Sequence, residues 1–454
     1  MAPLIRRVLV WAAAASLALA GEARAQNLQM LRDAEIESIL LTYETPVARA
    51  AGLDPSSLHI YLINDQQLNS FVAGGQNIFM NTGTINRSST PNQLVGIMAH
   101  ETGHIAGGHI ARSEDAMRKA GYAGIAAAVL GIALAALSGG MGAPAILAAE
   151  GVAERTWLKF SVEQEARADQ AALTFLDRTH QSAKGLLQFF EILQQELFLS
   201  GQHEDPYLRT HPLTAQRVDY VREHVAKSPY SNNPDPPDWI ELYKRMKAKL
   251  AGFLDAPQQT LDTYKADDKS VSARYARAIA YYRIPDLAHA VPAVDALIRD
   301  YPNDPYFQEL KGQMLFENGR IAEAVGPYTQ SVKLDPSSTL LKIELAQVQL
   351  ETGDAKLLPI AQRNLEEVTR IEVQNAEAWR LLAIAYGKNN NMGQMALALA
   401  EQGASSGNYK DARQQAQRAM QILPRGPARQ RAQDIADEAK RQIDAGNGGG
   451  RPDQ

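Results

Sequence analysis

The spacing of apolar residues changes along the chain, and each change predicts a different element. Between Gln26 and about Ala51, Leu28, Leu31, Ile36, Ile39 and Leu40 recur at helical spacing and predict an amphipathic helix. The run Leu58-His59-Ile60-Tyr61-Leu62-Ile63 ends in the turn-prone pair Asn64-Asp65 and reads as a strand. Phe71-Val72-Ala73, Gly74-Gly75 and Ile78-Phe79-Met80 read as a hairpin or two short neighbouring strands, closed by Asn81-Thr82-Gly83. A helix with clear start signals follows: Thr90 as N-cap, Pro91 at the first helical position, and Gln93 where a capping box needs it. Its residues Leu94 to Ala99 are almost all apolar, which predicts the central, buried helix of a domain.

Tyr122 to Leu137 is a continuous Ala/Gly/Leu/Ile stretch, followed by Gly139-Gly140 and a second apolar piece from Ala143 to Ala149. Three readings stay open: a buried helical hairpin, a lid or peripheral membrane contact, and a span. The run falls just short of the ~18 to 20 residues that a span requires. The segment Ser228 to Pro237 is rich in Pro, Asn and Asp and marks a boundary. Beyond it the pattern is amphipathic helix throughout, with turns at Asn318-Gly319-Arg320, Thr352-Gly353-Asp354 and Gly407-Asn408-Tyr409. Asp304-Pro305, Asp335-Pro336 and Asn375-Ala376 read as repeat starts, 31 and 40 residues apart. These separations straddle the ~34 of a tetratricopeptide repeat.

The chain ends and the composition complete the outline. Arg6 and Arg7, the apolar Val8 to Ala20, and Ala23-Arg24-Ala25 form a secretory signal expected to be cleaved before Gln26. The expected organisation is a signal peptide (1–25), an α+β domain (26–232), an all-α helical repeat domain (233–446) and a Gly-rich disordered tail (447–454). A formal charge of −5 and the lack of a strongly basic domain argue against nucleic acid as a partner. With no cysteine, any metal must be held by His and carboxylate, and thiol nucleophiles are excluded.

The candidate chemistry lies in the capped helix. His100-Glu101-Thr102-Gly103-His104 places two imidazoles four residues apart, on one helix face, where both can reach one ion. Glu101 lies beside them as the candidate general base for a water whose pKa zinc lowers to about 7. A catalytic zinc takes a third protein ligand and leaves a position open. A third histidine in the pattern HExxHxxGxxH would fall at 110, which is Ile110; the extra histidine is His109, one residue early. A carboxylate is the alternative. Glu165 and Asp169 are four apart on a predicted helix, so that one can bind metal while the other holds a ligand imidazole.

These motifs resemble the zinc metalloendopeptidase family that includes the CAAX prenyl protease and the heat-shock protease HtpX. The resemblance covers about Leu28 to Val225 and implies a gluzincin-like metallopeptidase fold. HExxHxxxxH appears as His100, Glu101, His104 and His109, and ExxAD as Glu165, Ala168 and Asp169. It implies Glu165 as the third zinc ligand, with Asp169 and His109 behind the ligands. Asn69 to Gly75 is similar to the family's edge-strand region, which implies that Phe71, Val72, Ala73 and Gly74 pair with an extended peptide. Thr210-His211-Pro212-Leu213 with Arg217 also matches. His211 is then expected to stabilise an oxyanion or take the fourth zinc position in a resting state, and Arg217 to orient it or bind a carboxylate. Val162 departs from the arginine that the family often carries there.

Members with a signal peptide and C-terminal repeats imply a periplasmic endopeptidase acting on unfolded or misassembled polypeptides. They further imply quality control of outer-membrane proteins and contact with their assembly machinery through the repeats. A scaffold that works through its repeats and a membrane-embedded peptidase are the rival readings.

Overall fold

The structure is a computed structural model that describes residues 29–109, 152–200 and 211–448. The apolar stretch from Tyr122 to Leu137, the signal segment and the end of the Gly-rich tail lie outside these residues. No helix among the described residues is long and apolar enough to cross a membrane.

The chain enters through a two-residue strand, β1 (Met30–Leu31), before helix α1 (Ala34–Ala50). The expected helix therefore begins late. Asp33 caps it by accepting from the Ile36 amide at 2.9 Å, while Met30 and Leu31 pair antiparallel with Ile63 and Leu62. Strands β2 (His59–Ile63), β3 (Ser70–Ala73) and β4 (Asn77–Asn81) complete a sheet of order β1-β2-β4-β3. The β3–β4 hairpin is antiparallel, whereas β2 and β4 run parallel. Alternation sorts the two faces. Ile60, Leu62, Ile78 and Met80 enter the main core, and Tyr61, Ile63, Phe79 and Ala73 form a second cluster on the other side.

Short helix α2 (Thr82–Arg87) leads to α3 (Pro91–Ala106), the helix that the start signals predict. The Thr90 hydroxyl accepts from the Gln93 amide at 3.3 Å, and the Gln93 side chain accepts from Ser89 N at 2.7 Å, one residue before the cap. Every residue from Gln93 to His104 is buried. Helices α4 (Val152–Arg178) and α5 (Lys184–Ser200) flank α3, followed by α6 (Ala215–Lys227). Two glycines permit the close crossings. A Cβ at Gly96 would stand 2.6 Å from the Leu186 backbone, and one at Gly103 would stand 2.7 Å from the Ala168 carbonyl.

Beyond the Pro-rich boundary, α7 (Pro237–Leu254) belongs physically to both halves. Tyr243, Met246 and Leu250 join the core of the N-terminal half, and the Tyr43 hydroxyl donates to the Trp239 carbonyl at 2.8 Å. After α8 (Pro257–Thr263) come antiparallel helix pairs: α9 (Val271–Arg283) with α10 (Leu287–Asp300), and α11 (Pro305–Glu317) with α12 (Ile321–Leu334). The series continues with α13 (Thr339–Glu351) and α14 (Leu358–Ile371), α15 (Ala376–Lys388) and α16 (Met392–Ser405), and α17 (Tyr409–Ile422) and α18 (Pro427–Gly448). First helices begin at 271, 305, 339, 376 and 409, intervals of 34, 34, 37 and 33 residues. This is tetratricopeptide spacing. The sequence intervals of 31 and 40 arise because Asp335-Pro336 lies in the loop before α13, whose N-cap is Ser338.

Buried charge joins the halves. Lys249 of α7 reaches Asp33 at 2.8 Å and Glu35 at 3.2 Å, with Glu309 of α11 at 3.7 Å. Arg245 pairs with Glu35 and Asp304 and lies over the Phe307 ring at 4.1 Å. Lys249 is only 3% exposed, so removing its charge strands carboxylates that water cannot reach. Lys249→Met is therefore expected to lower unfolding stability by ~3 to 5 kcal/mol. Urea denaturation checks this; a loss within about 0.5 kcal/mol, the range of ordinary surface substitutions, would contradict the network's role.

Candidate metal centre

Helix α3 aims His100 and His104 from one face toward α4, where Glu165 stands near the middle of the helix. The two Nε2 atoms are 3.1 Å apart. Glu165 faces both, with Oε2 at 3.2 Å from His100 Nε2 and Oε1 at 3.2 Å from His104 Nε2. His211 arrives from the loop before α6, its Nδ1 3.1 Å from Glu165 Oε1. One ligand atom from each of His100, His104, Glu165 and His211 can be chosen so that all four lie within 4.8 Å of one another, and all four residues are buried. Two or three imidazoles with one carboxylate form a donor set suited to zinc.

A second layer orients these groups. Asp169, one turn beyond Glu165, accepts from His100 Nδ1 at 2.9 Å, which leaves Nε2 to face the centre. Arg217 of α6 donates to Asp169 through Nε at 2.6 Å and Nη2 at 2.9 Å, pairs with Glu165 at 3.0 Å, and donates to the Pro212 carbonyl at 2.8 Å. That last bond ties down the residue next to His211. His109 sits behind His104, with the two Nδ1 atoms 3.1 Å apart. Glu101 lies opposite, Oε1 4.0 Å from His211 Nε2. It is fully buried, yet neither of its oxygens has a hydrogen-bond partner among the described residues.

The electrostatics favour a cation at this point. Burial opposes charge on both His100 and His104, but hydrogen bonds to Asp169 and Glu165 push His100 up to about 10. His104 has weaker help and burial holds it down to about 3. Burial alone would raise Glu165, but His211 and His104 keep its carboxyl well below the usual range. Asp169 is likewise lowered, against its burial, by Arg217 and His100. Glu101 goes the other way: burial raises it, against the pull of His211 and His100. Ionised Glu165 among imidazoles, beside an orphaned Glu101 carboxyl, fits a divalent metal with an attacking water next to the base.

The proposed peptide strand lies close by. Phe71, Val72 and Ala73 occupy β3, the edge of the sheet among the described residues, and Gly74 begins the turn with φ +59°. The structure thus brings His100, Glu101, His104, Glu165, Asp169, His109, His211 and Arg217 into one buried cluster. Thr210 of the late motif lies outside the described residues.

Sequence reasoning missed Glu44. It is buried on α1, accepts a hydrogen bond from the Thr102 hydroxyl, and its other oxygen has no partner among the described residues. The signal was present: Glu44 interrupts the apolar stripe of Leu40, Tyr43 and Val47. Burial pushes it up to about 8, against the Thr102 hydrogen bond and with the help of the Glu101 charge.

Residues 31–225 match Peptidase family M48. The chain is 24% identical, over 78% of its length and 72% of the relative's, to the beta-barrel assembly-enhancing protease of Escherichia coli. It is 23% identical to the protein of that name from Yersinia pestis, over 78% of the chain and 73% of the relative. The metalloprotease LoiP of Escherichia coli is 25% identical over 40% of the chain and 69% of that protein.

Two predictions follow from the geometry. Gly103→Ala pushes α3 away from Ala168 and so separates the histidines from Glu165; zinc affinity should fall by ~10- to 100-fold in a chelator competition. An unchanged affinity would mean that the crossing does not set the site. The second concerns Glu44. Its folded value of about 8 stands above the ordinary 4.5, so its stabilising contribution is full below about pH 4.5 and is lost as pH rises toward 8. Across that window the unfolding free energy of wild type, relative to Glu44→Gln, should fall by about 1.4 kcal/mol per pH unit. Urea titrations at stepped pH read this directly, and a pH-independent difference contradicts it.

Proposed function

We propose, from the premise that this chain is a zinc metalloendopeptidase built on a peptidase family M48 domain, that His100, His104 and Glu165 hold the ion. Glu101 is the general base. The chain divides functionally into a catalytic part (26–232) and a helical repeat part (233–446). The observation that carries the reading is the buried convergence of three histidines and Glu165 beside a Glu101 carboxyl that no described residue satisfies.

Zinc bound there supplies Lewis-acid polarisation of the scissile carbonyl and acidifies the attacking water. The protein's residues do the rest. Asp169 fixes the tautomer of His100 by accepting at Nδ1, and Arg217 fixes Asp169 and Glu165 in turn. Glu101, whose carboxyl burial raises against the pull of His211 and His100, takes the proton from water and delivers it to the departing amine nitrogen. His211 faces Glu101 across the site and donates to the oxygen on which negative charge develops. With no substrate present, the same imidazole is placed to serve as a further metal ligand.

Strand β3 offers Phe71 to Ala73 as an edge that is unpaired among the described residues. A peptide added there pairs through its backbone, so binding depends on extension more than on sequence. Unfolded or misassembled polypeptides are the substrate class that this suits. The two beta-barrel assembly-enhancing proteases cover most of this chain, repeats included, and support a role in the quality control of outer-membrane proteins in the periplasm. The repeats are the surface expected to meet the assembly machinery.

Glu101→Gln keeps the shape of the side chain and removes the base. Casein cleavage should fall by ~10² to 10⁴-fold while about one zinc per chain is retained, read by turnover assays and metal analysis. Activity within about tenfold of wild type would remove Glu101 from the role. If the variant still restores outer-membrane protein assembly in cells that lack the wild type, the repeats act as a scaffold instead.

A further inference from the structure

A cavity of about 200 Å³ opens where the peptidase sheet meets the repeat array. Its sheet wall is Arg32, His59, Tyr61, Gly74 and Asn77, and its repeat wall is Ile371 at the end of α14 with the loop 372–375 that leads to α15. The two walls are tied together: Arg32 lies over the Tyr61 ring at 5.5 Å and pairs with Glu372 at 3.6 Å. On either side of Glu372, Ile371 and Val373 are 56% and 59% exposed, although both are large aliphatic residues on the rim of a cavity.

The position of this cavity relative to β3 gives it meaning. Gly74, on the sheet wall, is the residue that directly follows the last residue of β3. Asn77 closes the hairpin from within, donating to the Gly74 carbonyl at 2.7 Å and the Ala73 carbonyl at 3.2 Å, so the tip is held in place. A row of directly paired aromatic residues also runs between cavity and edge. Tyr61 stacks on Phe79 at 5.3 Å, and Phe79 stacks on Phe71 of β3 at 5.1 Å. At ~3.3 Å per residue, a chain paired with β3 reaches the hairpin tip and this opening within a few residues of the paired segment.

We infer that this seam is a distal subsite of the substrate cleft, taking one large apolar or aromatic side chain of an extended polypeptide beyond the part seated on β3. The inference rests on the reading of β3 as the substrate strand. Size decides the class of occupant: the cavity is smaller than the ~300 to 1,000 Å³ of small-molecule sites but has room for a side chain. Chemistry decides its character. The exposed Ile371 and Val373 supply apolar contact, and the Arg32 guanidinium, held by Glu37 at 2.8 Å and Glu372 at 3.6 Å over the Tyr61 ring, forms a fixed planar wall against which a side chain can lie. A subsite built from both halves makes the repeats part of substrate selection. A long unfolded strand fills β3 and the seam together, while a short peptide fills β3 alone.

The test uses the full chain carrying Glu101→Gln, so that binding is read without turnover. Three fluorescent peptides share one core of six residues; two carry an eight-residue extension with a phenylalanine, one at the N-terminal side and one at the C-terminal side. The additional pair Ile371→Asp and Val373→Asp alters exposed side chains, and an unchanged circular dichroism melt confirms the fold. One extended peptide should lose at least ~tenfold in affinity in this variant, with the core peptide within about twofold. Equal binding of both extended peptides with and without the aspartates overturns the subsite, as does an equal loss for core and extended peptides. A wild-type chain that binds with the expected ratio but cleaves neither peptide nor casein contradicts the peptidase reading and leaves the subsite standing.

Discussion

The site depends on one close helix crossing. Gly103 of the metal helix meets the Ala168 carbonyl of α4 with no room for a side chain between them. Glu165 and Asp169 bracket that contact, and His100 and His104 bracket it from the other side. Any widening takes the carboxylate away from both imidazoles at once. The apolar burial of α3, the glycine at Gly96 against α5, and the Arg217 clamp all act to hold this distance. Zinc sites need donors placed to within a few tenths of an ångström, and packed helix interiors are the part of a fold that can supply that.

Buried charge serves two separate ends. At the centre it poises groups in opposite directions, with Glu165 and Asp169 kept ionised while Glu101 and Glu44 are raised. Divergence of this kind within one pocket marks a candidate functional site and suits the proposed pairing of a metal-binding carboxylate with a proton acceptor. At the seam, Lys249 and Arg245 bind acidic groups from α1 and α11. Those pairs fix how the repeat array sits against the sheet, and hence what lies beyond the hairpin tip.

Features written in local sequence were readable before the structure. The start of α3 follows from Thr90, Pro91 and Gln93 because a cap involves neighbours three residues apart. His100 and His104 follow from helical geometry alone. The spacing of Glu165 and Asp169 on one helix face left open which of them meets the histidines at the centre; the crossing with α3 sets Glu165 against both Nε2 atoms and Asp169 against His100 Nδ1. The strand at Met30–Leu31 could not be seen, because its partners are Leu62 and Ile63. Glu44 and Lys249 were hidden for the same reason: charges on apolar faces gain meaning only from partners that are distant in sequence. The repeat period was blurred because Asp-Pro pairs mark turns as readily as helix starts.

The most direct test is anomalous diffraction at the zinc edge from crystals of the full chain. One peak should lie ~2.0 to 2.2 Å from His100 Nε2, His104 Nε2 and the Glu165 carboxylate, with Asp169 still on His100 Nδ1. A peak held by Asp169 or His109 in place of Glu165, or no peak after zinc is supplied at neutral pH, would contradict the account.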